Sequence, residues 1–269
     1  MLTSTQNPKV RYFNSLKSKK TRKTAGKFIV EGIHLVDEAM QAGLLDKVIY
    51  SENVLKTSEG KNLLGKIISS DIPNEEASEK VIEYLSEVGT PQGVIASVKP
   101  KTSDLGSLFE ASDPLIVVAC GIQDPGNLGT MIRTADATGC SGIILSAGTV
   151  DPYNDKVIRS SSGSIFHLNI VKIDDIIELV SALKRRGVRL VSSVVGADKD
   201  FFSVDYSGPV AIVIGSESKG ISPEIERLSD ESVAIPMLGR VESLNAAVSC
   251  AIILYEAIRQ RRGNAGKIS

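Results

Sequence analysis

The strongest constraint on this chain is a series of short apolar runs, separated by helical patterns, through residues 115–262. LIVVACGI at 115–122 is continuously apolar, which suits a strand buried on both faces. GIILSA (142–147), HLNIVKI (167–173), RLVSSVV (189–195), VAIVIGS (210–216) and SVAIPM (232–237) read as further strands. Between them, LGTMIRTADATG, NDKVIRSSSG, DDIIELVSALKRRG and SPEIERLS read as helices, and SLNAAVSCAIILYEAIRQRR closes the chain as a long one. Alternating strands and helices of this kind build a mostly parallel sheet covered on both faces. Ligands of such sheets bind beyond the carboxyl ends of the strands.

The first ~105 residues hold a second, smaller pattern. EGIHLVDEAMQAG has apolar residues at helical spacing and Gly43 as its stop; KVIYS and GVIASV read as strands, and EEASEKVIEYLSEV as a helix. KPKTSDLGSLFEASDP, at 99–114, is polar and rich in turn formers, and marks a boundary. The expectation is a small α/β domain over 1–105 and a larger one over 112–269, which suits a chain of 269 residues.

Charge divides the chain in the same place. Of its 31 Lys and Arg residues, eight lie within residues 1–30, which contain no acid; the remaining 23 face 32 Asp and Glu. A basic block on an otherwise acidic chain is a footprint for a polyanion. Lys17, Lys19, Lys20, Arg22 and Lys23 are its centre. Aromatic residues are only 4%, so stacking on many bases is not the binding mode.

Several classes drop out. No run approaches the ~18 unbroken apolar residues of a membrane span, and the first residues hold no apolar signal core, so a cytoplasmic protein is expected. Three dispersed cysteines and two isolated histidines support neither a disulfide framework nor a metal site. No glycine fingerprint of a dinucleotide fold follows the first strand of either half, and no phosphate-binding P-loop is present, which disfavours a nucleotide-dependent oxidoreductase. His167 reads as a packed or capping residue rather than a base.

Three segments at strand ends carry the polar chemistry. In the first, Asp124-Pro125-Gly126 makes a turn, Asn127 can cap the helix that follows, and Gly129 leaves room beside Arg133 one turn on. Arg133 interrupts an otherwise apolar helix and therefore calls for a partner, either Asp136 or another acid. In the second, Gly215 and Gly220 bracket Glu217, a candidate partner for Arg133 across the top of the sheet. In the third, the apolar loop Ile235-Pro236-Met237-Leu238-Gly239 suits a flat heteroaromatic ring held at its edge by main chain. Ser243 is then a candidate N-cap, with Asn245 in the first turn beyond it.

The order of these segments, NLGTMIRTA, IGSESKG and IPMLGRVESLNAAVSCAIILYEAIRQR, resembles the three motifs of the SpoU (TrmH) family of RNA ribose 2′-O-methyltransferases. RSSSGSIFHL, between the first two, resembles that family as well, and the likeness spans about residues 112–262. NPKVRYFNSLKSKKTRKTAGKFIVEGIHLVDEA and TPQGVIASV resemble the ribosomal-protein-like α/β RNA-binding domain that precedes it in many members. The resemblance implies an α/β fold of the SPOUT type with a C-terminal trefoil knot. It implies S-adenosylmethionine as cofactor and a homodimer whose active site is completed across the interface, without metal or membrane. Carried over by position, the cofactor rests on Gly215, Ile235 and Leu244, near Met237, Leu238 and Gly239, and the catalytic group is Asn127, Arg133, Glu217, Ser243 and Asn245. The implied activity is 2′-O-methylation of RNA, with 23S rRNA as the first substrate; tRNA is the alternative, and a non-catalytic RNA-binding factor on the same fold the second. The apolar stripe Leu244, Val248, Ala251, Ile252, Tyr255 and Ile258 of the last helix agrees with packing, whether in a core or between subunits.

Overall fold

A computed structural model describes residues 1–265. The chain divides into two units, Met1–Lys101 with Tyr153–Phe166, and Thr102–Pro152 with His167 onward. The first unit begins with two short helices, α1 (Pro8–Ser15) and α2 (Lys19–Ala25). Strand β1 (Phe28–Glu31), helix α3 (Ile33–Gln41), strand β2 (Leu45–Tyr50) and helix α4 (Ser58–Ile68) follow. Strand β3 (Asn74–Glu76), helix α5 (Glu79–Leu85) and strand β4 (Val94–Val98) complete the run. The sheet order is β1-β4-β2-β3, with β4 antiparallel to both neighbours and β3 parallel to β2. Val10 and Phe13 of α1, Ile49 of β2, Val81, Ile82 and Leu85 of α5, and Ile95 of β4 form its core.

Three elements here escape sequence patterning. β1 and α4 were not expected, and the stretch read as one helix from Glu75 breaks into β3 and α5 at Ser78. β3 is an edge strand of Asn and Glu, and such polar edges carry no alternating signature.

The second unit holds seven strands. They are β5 (Leu115–Cys120), β6 (Gly142–Ser146), β7 (Ile170–Ile173), β8 (Arg189–Ser193), β9 (Lys199–Asp200), β10 (Val210–Gly215) and β11 (Glu231–Ala234). Their helices are α6 (Pro125–Ala137), α7 (Asp155–Ser161, which belongs to the first unit), α8 (Ile176–Arg185), α9 (Pro223–Leu228) and α10 (Ala246–Ala265). The order is β7-β6-β5-β10-β8-β11-β9, and every pairing is parallel.

The central strands β5 and β10 are buried along nearly their whole length, as their apolar runs require. Alternate residues serve opposite faces. Ile116, Val118, Ala211 and Val213 meet Leu179 and Leu183 of α8 and Ile225 of α9. On the other face α10 packs against α6 and β10. β5 leads through α6 to β6 on one side, whereas β10 leads through α9 towards β11 on the other. The adjacent strands β5 and β10 therefore form a topological switch point, where the two connections part and leave a crevice.

Tight packing at the start of β6 gives a test of this arrangement. A Cβ on Gly142 would collide with the Leu108 side chain and the Asn169 carbonyl. Gly142→Ala should destabilise the protein by about 1–3 kcal/mol, read as a lower midpoint in urea with an unchanged denaturant slope.

Candidate active site

The three motif segments converge through one carboxylate. Glu217 lies in the loop after β10, Asn127 in the first turn of α6, and Asn245 just before α10. The Asn127 Nδ2 donates to Glu217 Oε1. The Asn245 Nδ2 donates to the same oxygen at 2.9 Å and to Asn127 Oδ1 at 2.9 Å. The Ala246 backbone N–H adds a longer bond to Glu217 Oε1, at 3.4 Å. A carboxylate accepts only, so it can gather several amide donors at once.

Local sequence explains why each group arrives there. Asp124 caps α6 by accepting from the Asn127 N–H at 2.9 Å, with Pro125 in the first turn, where its missing N–H costs nothing. Asn127 is thus not the cap, and its side chain is free for Glu217. The Asn245 Oδ1 accepts from the backbone of Ala247 at 2.9 Å and Val248 at 3.3 Å, so Asn245 caps α10 while its amide holds the cluster. Ser243, the expected cap, lies two residues too early; it is exposed on the wall of the adjoining cavity.

That cavity, of about 680 Å³, opens beyond the carboxyl ends of β8, β10 and β11. Its walls include Gly215, Ile235, Met237 and Leu244 of the expected cofactor set, together with Glu217 and Ser243 of the expected catalytic group. Leu238 and Gly239 do not line it: both are exposed, and Leu238 is 100% accessible, because the loop swings outward after Met237. One wall was missed, the turn Ser193–Ala197 after β8, with Asp200. It carries no motif; its signal was its place at the end of a buried strand. Gly215 is needed for a close backbone approach, since a Cβ there would collide with the Gly220 carbonyl group in the hairpin closed by Gly220 N–H to Ser216 O at 2.8 Å.

Arg133 departs from expectation. It is exposed on α6 and makes no hydrogen bond or ion pair among the described residues, to Glu217 or to Asp136. Six residues after Asn127, it stands ~9 Å further along the helix and about a third of a turn away, while the amides of Asn127 and Asn245 already occupy Glu217. It does not line the cavity. His167 is exposed beside a separate hollow of about 300 Å³ with Asp136 and Asn169. Burial pushes the Cys120 and Cys140 thiols up to about 11 and raises Cys250 further, so none of them supplies a thiolate near neutrality. Among the described residues, no cluster of His, Cys, Asp and Glu could hold a metal ion, and no helix is long and apolar enough to cross a membrane.

The basic block is partly committed to the fold. Lys9, Lys17 and Lys27 pair with Glu75, Glu87 and Asp46 at 2.5, 2.6 and 2.7 Å. Arg22, 9% exposed, donates to the Leu16 carbonyl at 3.3 Å and the Lys17 carbonyl at 2.6 Å. Arg22 and Lys17 are therefore structural, whereas Lys19, Lys20 and Lys23 are exposed on α2 without an ion pair among the described residues.

A family model described as the SpoU rRNA methylase family matches residues 114–255. The chain belongs to the SpoU rRNA methylase family. A second model, an MRM3-like substrate-binding domain, matches residues 7–96. The 23S rRNA (guanosine(2553)-2′-O)-methyltransferase RlmP of Bacillus subtilis is 32% identical, over 94% of this chain and 97% of that protein. The 23S rRNA (uridine(2479)-2′-O)-methyltransferase of Streptomyces viridochromogenes is 32% identical over 96% and 92%. The crystal structure of the SpoU methyltransferase AviRb from S. viridochromogenes with AdoMet has a TM-score of 0.87 and 31% identity, covering 96% of this chain and 99% of that one. The fold is thus that of solved SpoU-family methyltransferases over nearly the full length of this SpoU chain.

Two substitutions at Asn245 separate its roles. Asn245→Ala removes both the cap and the amide donor, and should cost about 1 kcal/mol from the cap alone. Asn245→Asp keeps a capping oxygen but sets a second carboxylate against Glu217. Like charge raises one folded-state carboxyl pKa, so the penalty is present at neutral pH and relieved as pH falls through that raised value. Chemical denaturation against pH should show Asn245→Asp, but not Asn245→Ala, regaining stability relative to the parent on mild acidification.

Proposed function

We propose that this protein transfers a methyl group from S-adenosylmethionine to a ribose 2′-oxygen of RNA, with 23S rRNA as the substrate and the cytoplasm as the place of action. The observation that carries the reading is the convergence of Asn127, Glu217 and Asn245 at the rim of a cavity walled by Gly215, Ile235, Met237 and Leu244. The intact polar cluster favours an enzyme over a silent RNA-binding factor. Both 23S rRNA methyltransferase relatives align over nearly their whole lengths, basic first unit included, and this favours rRNA over tRNA.

The cavity fits the cofactor by size and chemistry. Its volume lies within the usual range for small-molecule sites, and Ile235, Met237 and Leu244 offer apolar surface to a flat ring. S-adenosylmethionine, when bound, supplies a methyl already activated on a sulfonium. The protein's task is to orient a weakly acidic hydroxyl and favour loss of its proton. Asn127 and Asn245, fixed by Glu217, hold the rim rigid, and Ser243 adds a hydroxyl on the same wall. Arg133 stabilises the developing alkoxide; a guanidinium carries donors only and is a poor base, so substrate phosphate or water takes the proton.

Arg133 does not line the cavity of its own chain, so the reading includes a homodimer in which the partner subunit's Arg133 completes the site. The last helix supports this. Its buried face is Ala246, Ala247, Cys250, Ile253, Leu254 and Ala257, while Val248 and Tyr255 are 46% and 57% exposed, with Ala251, Ile252 and Ile258 half-buried beside them. The expected stripe is thus the face left uncovered, and it lies on the helix that packs against α6, which carries Arg133. The trefoil knot belongs to the same proposal; the irregular segment from Ile235 to Asn245 is where the chain would thread.

Arg133→Ala should abolish methyl transfer to rRNA while leaving S-adenosylmethionine affinity within a few-fold by calorimetry. Mixed with Glu217→Ala, it should regain activity if sites are shared between subunits; no recovery would return Arg133 to a role within one chain. Charge reversal of Lys19, Lys20 and Lys23 should weaken RNA binding and lower its salt slope by up to about one unit for each phosphate that is no longer neutralised. An unchanged slope would remove α2 from the RNA surface.

A further inference from the structure

A second cavity, of about 540 Å³, occupies the crevice at the switch point between β5 and β10. It is walled by the loops after β5, β6 and β7 and by the start of α9. This is where the topology of an open parallel sheet places a ligand, yet the cofactor reading uses the other cavity, beyond β8, β10 and β11. One hairpin separates them: Ser216, Lys219, Gly220 and Ile221 line both.

The chemistry of the crevice is that of a site for an uncharged flat ring. Ile173, Ile176, Ile221 and Ile225 provide apolar walls. Three exposed side chains at its edge, Gln123, Asp174 and Lys219, make no hydrogen bond or ion pair among the described residues. Together they offer an amide with donor and acceptor, a carboxylate acceptor and an ammonium donor, which can read the edge of a heteroaromatic base. Asp174 opposes a phosphate in the same space, and its charge balances that of Lys219. A single-stranded or unstacked nucleotide presents such a base to an enzyme.

We propose that this crevice holds the base of the RNA nucleotide being methylated, with Gln123 and Asp174 as its specificity-determining residues. The sugar then lies over the Ser216–Gly220 hairpin, beside Asn127 and Glu217, and presents its 2′-oxygen towards the donor cavity. The assignment rests on the methyltransferase reading above and adds to it where the base sits and which residues select it.

The test uses the full chain with isoleucine methyls labelled for NMR and S-adenosylhomocysteine filling the donor cavity. Adenosine, guanosine, cytidine and uridine 5′-monophosphates are titrated singly. At least one should give saturable shifts at Ile173, Ile176, Ile221 and Ile225 while leaving Ile235, in the donor cavity, unmoved. Ile176→Trp, which fills the crevice, should abolish those shifts and lower kcat/KM for rRNA by about tenfold or more, with S-adenosylhomocysteine affinity unchanged. Gln123→Ala and Asp174→Ala should narrow the difference among the four nucleotides. No saturable shift with any nucleotide, or an Ile176→Trp protein as active as the parent, would overturn the crevice assignment. A parent protein that binds S-adenosylmethionine but methylates no RNA would instead overturn the functional reading beneath it.

Discussion

One carboxylate oxygen organises the top of the larger unit. Glu217 Oε1 accepts from Asn127, 90 residues earlier, and from Asn245, 28 residues later. Neither amide would find it without the parallel pairing of β5 and β10, which sets Gly215 opposite Cys120 and brings the loops after both strands to one height. Asn245 in turn ends the irregular segment by capping α10, so the helix start and the polar cluster share a single side chain. Low burial keeps each bond modest in energy; the gain is geometric, because one acceptor fixes two amides from distant parts of the chain.

The hairpin after β10 matters for the same reason. Its two ends approach so closely that only glycine fits at 215, and it forms the wall common to both cavities. On the proposed reading, donor and acceptor are presented from opposite faces of this one turn, rather than competing for one opening.

Much of this was legible in the residues. Fully apolar runs placed the central strands because burial on both faces leaves no room for alternation, and the motif residues at their ends met as the parallel order demanded. Other features were hidden for physical reasons. The pairing of Arg133 with Glu217 was plausible from charge, but helix geometry turns Arg133 away and the two asparagines satisfy the acid. α10 is apolar on more than one side, so pattern alone could not tell its buried face, with Ile253 and Leu254, from its exposed one, with Val248 and Tyr255. A count of basic residues could not separate Lys19 and Lys23, free at the surface, from Lys9 and Lys27, bound to Glu75 and Asp46 across the fold. The turn Ser193–Ala197 bears no reactive group and became visible only as a wall.

The division of the chain is not a single cut. Tyr153–Phe166 lies within the stretch matched by the SpoU family yet belongs to the first unit, where Phe28 of β1 stacks on Tyr153 at 4.7 Å and lies near Phe166 at 6.4 Å between ring centroids. The catalytic sequence therefore carries, inside itself, a patch fitted to one particular neighbour. Replacing the leading domain alone would leave Tyr153 and Phe166 without Phe28, so the inserted segment has to travel with the domain whose core it completes.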